Sequence, residues 1–304
     1  MKKDLLSVQD LRAEDIAGLM DLAADIKSSG AKYSASLSGK SVGLIFQKPS
    51  NRTRVSFEIG MFQMGGNSIY LGSSEIGMGG RESVKDVACV LSRYLNGIIA
   101  MTYKHKVLED LARHASIPIV NGLSDLEHPC QALSDMFTIK ERFGLLKGVS
   151  LSYIGDGNNV LNSLMFAASK LGIDVRVATP KGYEPDSRVV RTARSFAAGS
   201  GSKIDVSNDP ARAASGADVL YTDVWVSMGQ EKEAARRIKA FKKYQINDPL
   251  LKKAKAGCVV MHCLPAHRGQ EITDSVMDSE HSIVYDQAEN RMHVQKAVLL
   301  KLLK

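Results

Sequence analysis

One rhythm restricts the fold more than any other feature: short apolar runs of strand length alternate with amphipathic stretches of helical length along nearly the whole chain. Such alternation predicts parallel sheets covered by helices. "SVGLIF" (41–46) precedes a helical pattern from about Val55, "SIYL" (68–71) precedes "SVKDVACVLSRYL", and "GIIAM" (97–101) precedes "KVLEDLARHA". "IPIV" (117–120) leads into a long helical stretch over 128–144, and an amphipathic helix near 10–29, closed by Gly30, comes before all of them. After "FGLLKG" (143–148) the pattern starts afresh with "VSLSYIGDGNN" (149–159), then strands "DVRVA" (174–178), "ADVLYTD" (217–223) and "CVVMHC" (258–263), and a closing helix "NRMHVQKAVLLKLL" (290–303). The expected fold is α/β, with two doubly wound parallel-sheet domains joined by interdomain helices. The expected domains are residues 1–134, closed by the C-terminal helix 287–304, and residues 148–286. The polar stretches 72–82 and 228–249 are expected to be mobile loops.

A chain of 304 residues suits two such domains. No apolar run approaches the roughly 20 residues that a bilayer crossing needs. The amino terminus turns amphipathic at once, with no apolar signal core, so a cytoplasmic location is expected and no membrane partner. A net charge of +7 raises the question of nucleic acid, but the basic residues are dispersed and their local runs are broken by acids or apolar residues. Small anionic substrates fit better than a polynucleotide. The four cysteines, Cys89, Cys130, Cys258 and Cys263, form no CxxC pair and read as free thiols.

Chemistry concentrates where strands end. "KPSNRTR" (48–54) lies where a loop gives way to a helix, so free backbone N–H groups converge with Ser50, Thr53, Arg52 and Arg54 on what reads as an anion cradle. Arginine's planar fork suits phosphate oxygens, and the hydroxyls add donors without bulk. Its bland alternative is a capped helix with solvated charges. "HPCQ" (128–131), "DVWVSMGQE" (223–231) and "HCLPAHRGQE" (262–271) occupy comparable places, at the carboxyl ends where open α/β sheets bind ligands. Taken singly, His128 reads as a cap or core histidine, Cys263 as an inert thiol and Met228 as packing. "GDGNNV" (155–160) lacks the third glycine of a dinucleotide fingerprint, with Val160 in its place. His128, Cys130, His262, Cys263 and His267 match no compact zinc spacing, so neither a metal nor an organic cofactor is expected.

Together these segments resemble the ornithine branch of the aspartate/ornithine carbamoyltransferase family, over nearly all of the chain. The family's phosphate loop corresponds to Ser50-Asn51-Arg52-Thr53-Arg54, its H-P-x-Q to His128 through Gln131, and its H-C-L-P to His262 through Pro265; "SMGQE" (227–231) separates the ornithine from the aspartate branch. The resemblance implies carbamoyl transfer from carbamoyl phosphate to the δ-amine of ornithine, in an interdomain cleft, by a homotrimer or a multiple of trimers. It implies that Ser50, Asn51, Arg52 and Thr53 bind the phosphate with Arg291, and that His128 and Gln131 hold the carbamoyl oxygen and amide. Asn159, Asp223, Ser227 and Met228 would take ornithine, while Cys263 and Leu264 would meet both substrates. Cys263, Asp223, His128 and Arg52 are the implied catalytic set.

Some positions depart from the family pattern. Met101 stands where relatives carry the arginine of A-R-x-x-x-H, Asn51 replaces a threonine, Gly77 stands at a frequent glutamine, and Cys89 interrupts "ARVL". Asparagine still donates a hydrogen bond, but methionine does not. The alternatives left open are a working enzyme in which Lys104 or His105 replaces the missing charge, a weakened enzyme, a non-catalytic binding paralogue, and a carbamoyltransferase for a related amine.

Overall fold

A computed structural model describes residues 3–304, and the two residues that open the expected first domain, Met1 and Lys2, lie outside the described residues. The chain divides into two compact units, one ending at Phe137 and resumed over Glu289–Lys304, the other Thr138–Ala288. Both boundaries fall inside helices, Pro129–Phe143 and Val284–Leu303.

The first unit holds strands β1 (Ser41–Phe46), β2 (Asn67–Gly72), β3 (Gly97–Met101) and β4 (Ile119–Leu123), all parallel, in the order β2-β1-β3-β4. The inner strands β1 and β3 are almost entirely buried, which is why they read as unbroken apolar runs rather than alternating ones. Edge strand β2 alternates exposed and half-buried residues. The opposite edge, β4, is covered by the amino-terminal segment: Leu5 N–H donates to Ile119 O at 2.9 Å and its carbonyl accepts from Asn121 N–H at 2.8 Å. One face packs Ile45, Ile98 and Ala100 against Val87, Leu108 and Leu111 from the helices Val84–Tyr94 and His105–His114.

The second unit holds β5 (Ser150–Ile154), β6 (Asp174–Ala178), β7 (Ile204–Ser207), β8 (Val219–Thr222) and β9 (Val259–His262), again all parallel, in the order β7-β6-β5-β8-β9. Aromatic rings anchor its core: Phe241, fully buried, stacks on Trp225 at 5.9 Å and meets Tyr183 edge-on at 4.8 Å.

Several expectations need correction. The first site helix begins at Asn51 rather than near Val55, because Ser50 caps it by accepting from Thr53 N–H at 3.4 Å. The stretch 228–249 is no simple loop, since it contains the helix Ala234–Phe241, which buries Arg237 and Phe241. A helical turn, Ser73–Ile76, interrupts the stretch 72–82. β7 was absent from the expected strands because it is a short edge strand with one buried residue.

Replacing Phe241 with alanine should remove about 3–5 kcal/mol of stability, since the cavity among Trp225, Tyr183 and Tyr244 cannot collapse fully. Trp225 is the only tryptophan in the chain, so its fluorescence in a urea titration reports this unit directly; an unshifted midpoint would contradict the packing described.

Candidate functional site

In both sheets the strand order reverses once. The chain runs β1 to β2 on one side and then crosses to β3; in the second unit it runs β5, β6, β7 and then crosses to β8. At such a reversal the turns leaving the two adjacent strands diverge and leave a crevice beyond the carboxyl ends. The motifs after β1 (48–54), β5 (155–160) and β8 (223–231) fall at these places, while those at 128–131 and 262–271 follow the neighbouring edge strands β4 and β9.

In the first unit the turn after β1 carries Ser50, Asn51, Arg52 and Thr53 into the helix Asn51–Gln63, so the first unpaired N–H groups of that helix open beside the reversal. Thr53 is buried, Ser50 and Arg52 are half-buried and Asn51 is exposed. Arg291, itself 4 % exposed on the closing helix, donates from Nη2 to Thr53 Oγ1 at 2.9 Å and brings a second guanidinium to the same turn. Arg54 points elsewhere, pairing with Glu58 at 3.0 Å and lying over the Tyr70 ring. His128, beyond β4, starts the helix Pro129–Phe143, and its carbonyl accepts from Gln131 N–H at 3.1 Å. Burial, with the Arg291 and Arg52 guanidinium groups nearby, holds the His128 imidazole well below its ordinary pKa and therefore neutral. The Gln131 amide donates to Asp135 Oδ1 at 2.9 Å, while its Oε1 is buried with no hydrogen-bond partner among the described residues. This is a cationic, donor-rich cluster in which Gln131 Oε1 stands as an open acceptor.

Met101 ends β3 in register with Phe46 and is 1 % exposed. Neither proposed substitute charge is well placed to replace an arginine. Lys104 is mostly exposed and pairs with Asp125 at 3.2 Å, and burial lowers the pKa of His105, whose Nδ1 lies 2.9 Å from Ser124 Oγ.

In the second unit the turn after β5 and the segment after β8 meet. Asn158 caps the helix Asn159–Lys170, accepting from Val160 and Leu161 N–H groups at 3.1 Å each, and donates from Nδ2 to Asp223 Oδ2 at 2.7 Å. Asp223, 6 % exposed, also accepts from Val224 N–H at 2.8 Å and from Cys263 Sγ–H at 2.9 Å. Sequence reasoning selected Asn159 and passed over Asn158; the Asx-type cap before a helix was the signal available. Gly157 is required here, because a Cβ would lie 2.4 Å from Pro185 N. Asp156 is pushed up to about 6, chiefly by burial and further by the Asp223 charge, although the Arg237 guanidinium pulls it back.

Ser227 and Met228 follow in the same segment. The Ser227 N–H donates to Gln230 Oε1 at 3.1 Å, and the Met228 side chain is exposed. Leu264 holds a left-handed φ of 56°, unusual for a branched residue, with its N–H donating to His262 Nδ1 at 2.8 Å. That bond makes Nε2 the protonated nitrogen of His262, which faces Glu271 Oε1 at 3.1 Å in a fully buried pair. Asp223, His262 and Cys263 bring possible ligand atoms within 4.8 Å of one another, but both ring nitrogens of His262 are already engaged, so the trio does not suit a metal.

Comparison with known proteins matches residues 3–141 to the model of the aspartate/ornithine carbamoyltransferase carbamoyl-P binding domain and residues 147–302 to that of the Asp/Orn binding domain. A protein named ornithine carbamoyltransferase from Pyrococcus horikoshii is 52 % identical over 303 residues, covering 99 % of this chain and 96 % of its own. One named ornithine carbamoyltransferase, anabolic, from Pyrococcus furiosus is 52 % identical over 299 residues, with 98 % and 95 % covered. The solved ornithine carbamoyltransferase structure from Pyrococcus furiosus superposes with a TM-score of 0.95 at 53 % identity, over 97 % of this chain and 95 % of that one.

The cysteines offer a direct check on the geometry. Burial pushes the Cys130 and Cys258 thiols up to about 12, whereas Cys89 is exposed. Native alkylation with iodoacetamide at mildly alkaline pH, read by peptide mass spectrometry, should label Cys89 and leave Cys130 and Cys258 unmodified until the protein is unfolded.

Proposed function

The chain belongs to the aspartate/ornithine carbamoyltransferase family, and from that premise we infer that it transfers the carbamoyl group of carbamoyl phosphate to the δ-amine of L-ornithine, giving L-citrulline and phosphate in arginine biosynthesis. The observation that carries the residue assignment is the paired cationic turn: Arg52 and Arg291 on one helix start, with Thr53 bonded to Arg291.

In this reading Ser50, Asn51, Arg52, Thr53 and Arg291 hold the phosphate. Two guanidinium groups and the helix start bind its charge in the ground state and meet the charge that grows on it as it leaves. The neutral His128 ring donates to the carbamoyl oxygen, and the open Gln131 Oε1 accepts from the carbamoyl amide. Ornithine's α-amino acid end lies against Asn159, Ser227 and Met228. Its δ-amine must shed a proton before it attacks, and the Asp223 carboxylate with the Cys263 thiol is suited to hold the ammonium and receive that proton. Leu264, next to Cys263, meets both reactants in the same reading. Fixing the amine nitrogen and the carbamoyl carbon in line supplies a large part of the rate.

A homotrimer, or a multiple of trimers, belongs to the same reading. It is supported by an apolar strip on the helix Asn51–Gln63, where Val55, Ile59 and Phe62 are 48 %, 41 % and 76 % exposed, with Ile69 on the edge strand β2. A cytoplasmic location is supported by the free cysteines. Among the described residues no helix is long and apolar enough to cross a membrane.

Steady-state citrulline formation tests the activity, and calorimetry on Arg52→Ala tests the cradle: affinity for carbamoyl phosphate should fall at least tenfold, and an unchanged value would refute the assignment. Met101 weakens the enzyme in this reading, since losing one donor to a developing oxyanion costs ~10²–10³ in turnover. Met101→Arg should therefore raise turnover, by as much as ~10²-fold, with ornithine affinity little altered. Equal or lower turnover in a protein with native circular dichroism would show that another donor serves.

A further inference from the structure

Arg237 is a charged side chain that the reaction leaves unused. It lies on the helix Ala234–Phe241, is only 4 % exposed, and reaches no position assigned to substrate. Burying a guanidinium is costly unless every face of it is engaged. Here Nε donates to the Trp225 carbonyl at 2.6 Å, Nη2 pairs with the Asp156 carboxylate, and Nη1 lies 3.7 Å from Glu233. The flat face lies 4.8 Å over the Tyr183 ring and 5.4 Å from that of Phe241. One side chain thus touches the turn after β5, the loop after β6 and the segment after β8.

Those contacts bracket the second-substrate residues. Asp156 is two positions before Asn158, the cap that bonds Asp223, and Asn158 N–H donates to the Asp156 carbonyl at 2.8 Å. Trp225 lies between Asp223 and Ser227 in the chain, and its ring stacks on Phe241 at 5.9 Å. The turn bearing Asp156 is pinned to Tyr183 by Gly157 N–H at 3.0 Å.

We propose that Arg237 is the positioning residue of the ornithine half of the site: it clasps the 223–231 segment to the Asp156–Asn159 turn, so that Asp223, Ser227 and Met228 present one fixed surface to the amino acid. This rests on the assignment of ornithine to that segment. Removing the guanidinium releases the Trp225 carbonyl and leaves the buried Asp156 carboxyl without its cation, which loosens the tie between the two segments. The cradle for carbamoyl phosphate belongs to the other unit and is untouched.

Three variants test the clasp, each read by the KM values for both substrates, by the Kd of norvaline, an ornithine analogue without the reacting amine, from calorimetry with carbamoyl phosphate present, and by Trp225 fluorescence. Arg237→Gln should raise ornithine KM and norvaline Kd at least tenfold, red-shift the tryptophan emission, and leave carbamoyl phosphate KM within about twofold. Arg237→Lys keeps a charge opposite Asp156 and should recover part of the ornithine affinity. Asp156→Asn removes the carboxylate without removing bulk and should weaken ornithine binding in the same selective way, which keeps the test open if Arg237→Gln does not fold. Unchanged ornithine affinity in folded variants, or equal losses for both substrates, would overturn the proposal. If the parent protein forms citrulline and the variants match it, the clasp alone fails; if the parent neither forms citrulline nor binds ornithine, the assignment of the second substrate fails with it.

Discussion

A parallel sheet whose strand order reverses is the constraint on which everything else depends. Each unit builds one such reversal, between β1 and β3 and between β5 and β8. Because every strand points the same way, all the strand-to-helix turns of a unit emerge on one edge, and the crevice opens where they diverge. Helix starts add unpaired N–H groups there, and residues far apart in the chain, such as Thr53 and Arg291 or Asn158 and Asp223, meet through side-chain hydrogen bonds. The chemistry is grafted onto this geometry by turns that contribute little to the core.

The two units solve the problem of buried charge differently. In the first, two guanidinium groups serve a turn rich in donors, and burial, together with those cations, holds the His128 ring neutral. In the second, two carboxylates, Asp156 and Asp223, lie in one neighbourhood. Asp223 is satisfied by Asn158, a backbone N–H and a thiol, while Asp156 depends on Arg237. A carboxylate with donors on both oxygens has its acceptors satisfied locally; one that relies on a single cation is sensitive to that partner's loss.

The His262–Glu271 pair performs a related task. Glu271 accepts hydrogen bonds from His262 Nε2–H and from the His267 N–H, and this fixes the tautomer whose Nδ1 accepts from Leu264 N–H. The left-handed backbone at Leu264 is thereby held from two residues away, next to Cys263. Met101 shows the opposite situation. Its side chain fits the end of β3 as packing, and the nearby Lys104 and His105 are engaged with Asp125 and Ser124 instead of standing in for an arginine.

From the sequence alone, the alternation of apolar runs and helical stretches determined the α/β class, because buried parallel strands must be apolar on both faces. The turn Ser50–Thr53 was likewise legible as local chemistry, since a helix start beside arginines reads as an anion cradle, whereas His128, Asp223 and Cys263 were marked only by the family resemblance of their motifs. What only tertiary structure decided is the set of partnerships: that Arg291 reaches Thr53 across 238 positions of chain, that Asn158 bonds Asp223, and that Arg237 ties Trp225 to Asp156. Nor does the sequence show that the helix Ala234–Phe241 buries Arg237 beside Phe241, because an arginine reads as a solvent-facing residue in any local pattern. Local pattern records which face of an element is dry, but the pairing of two buried charges depends on which strands lie side by side, and a single sequence carries no measure of that.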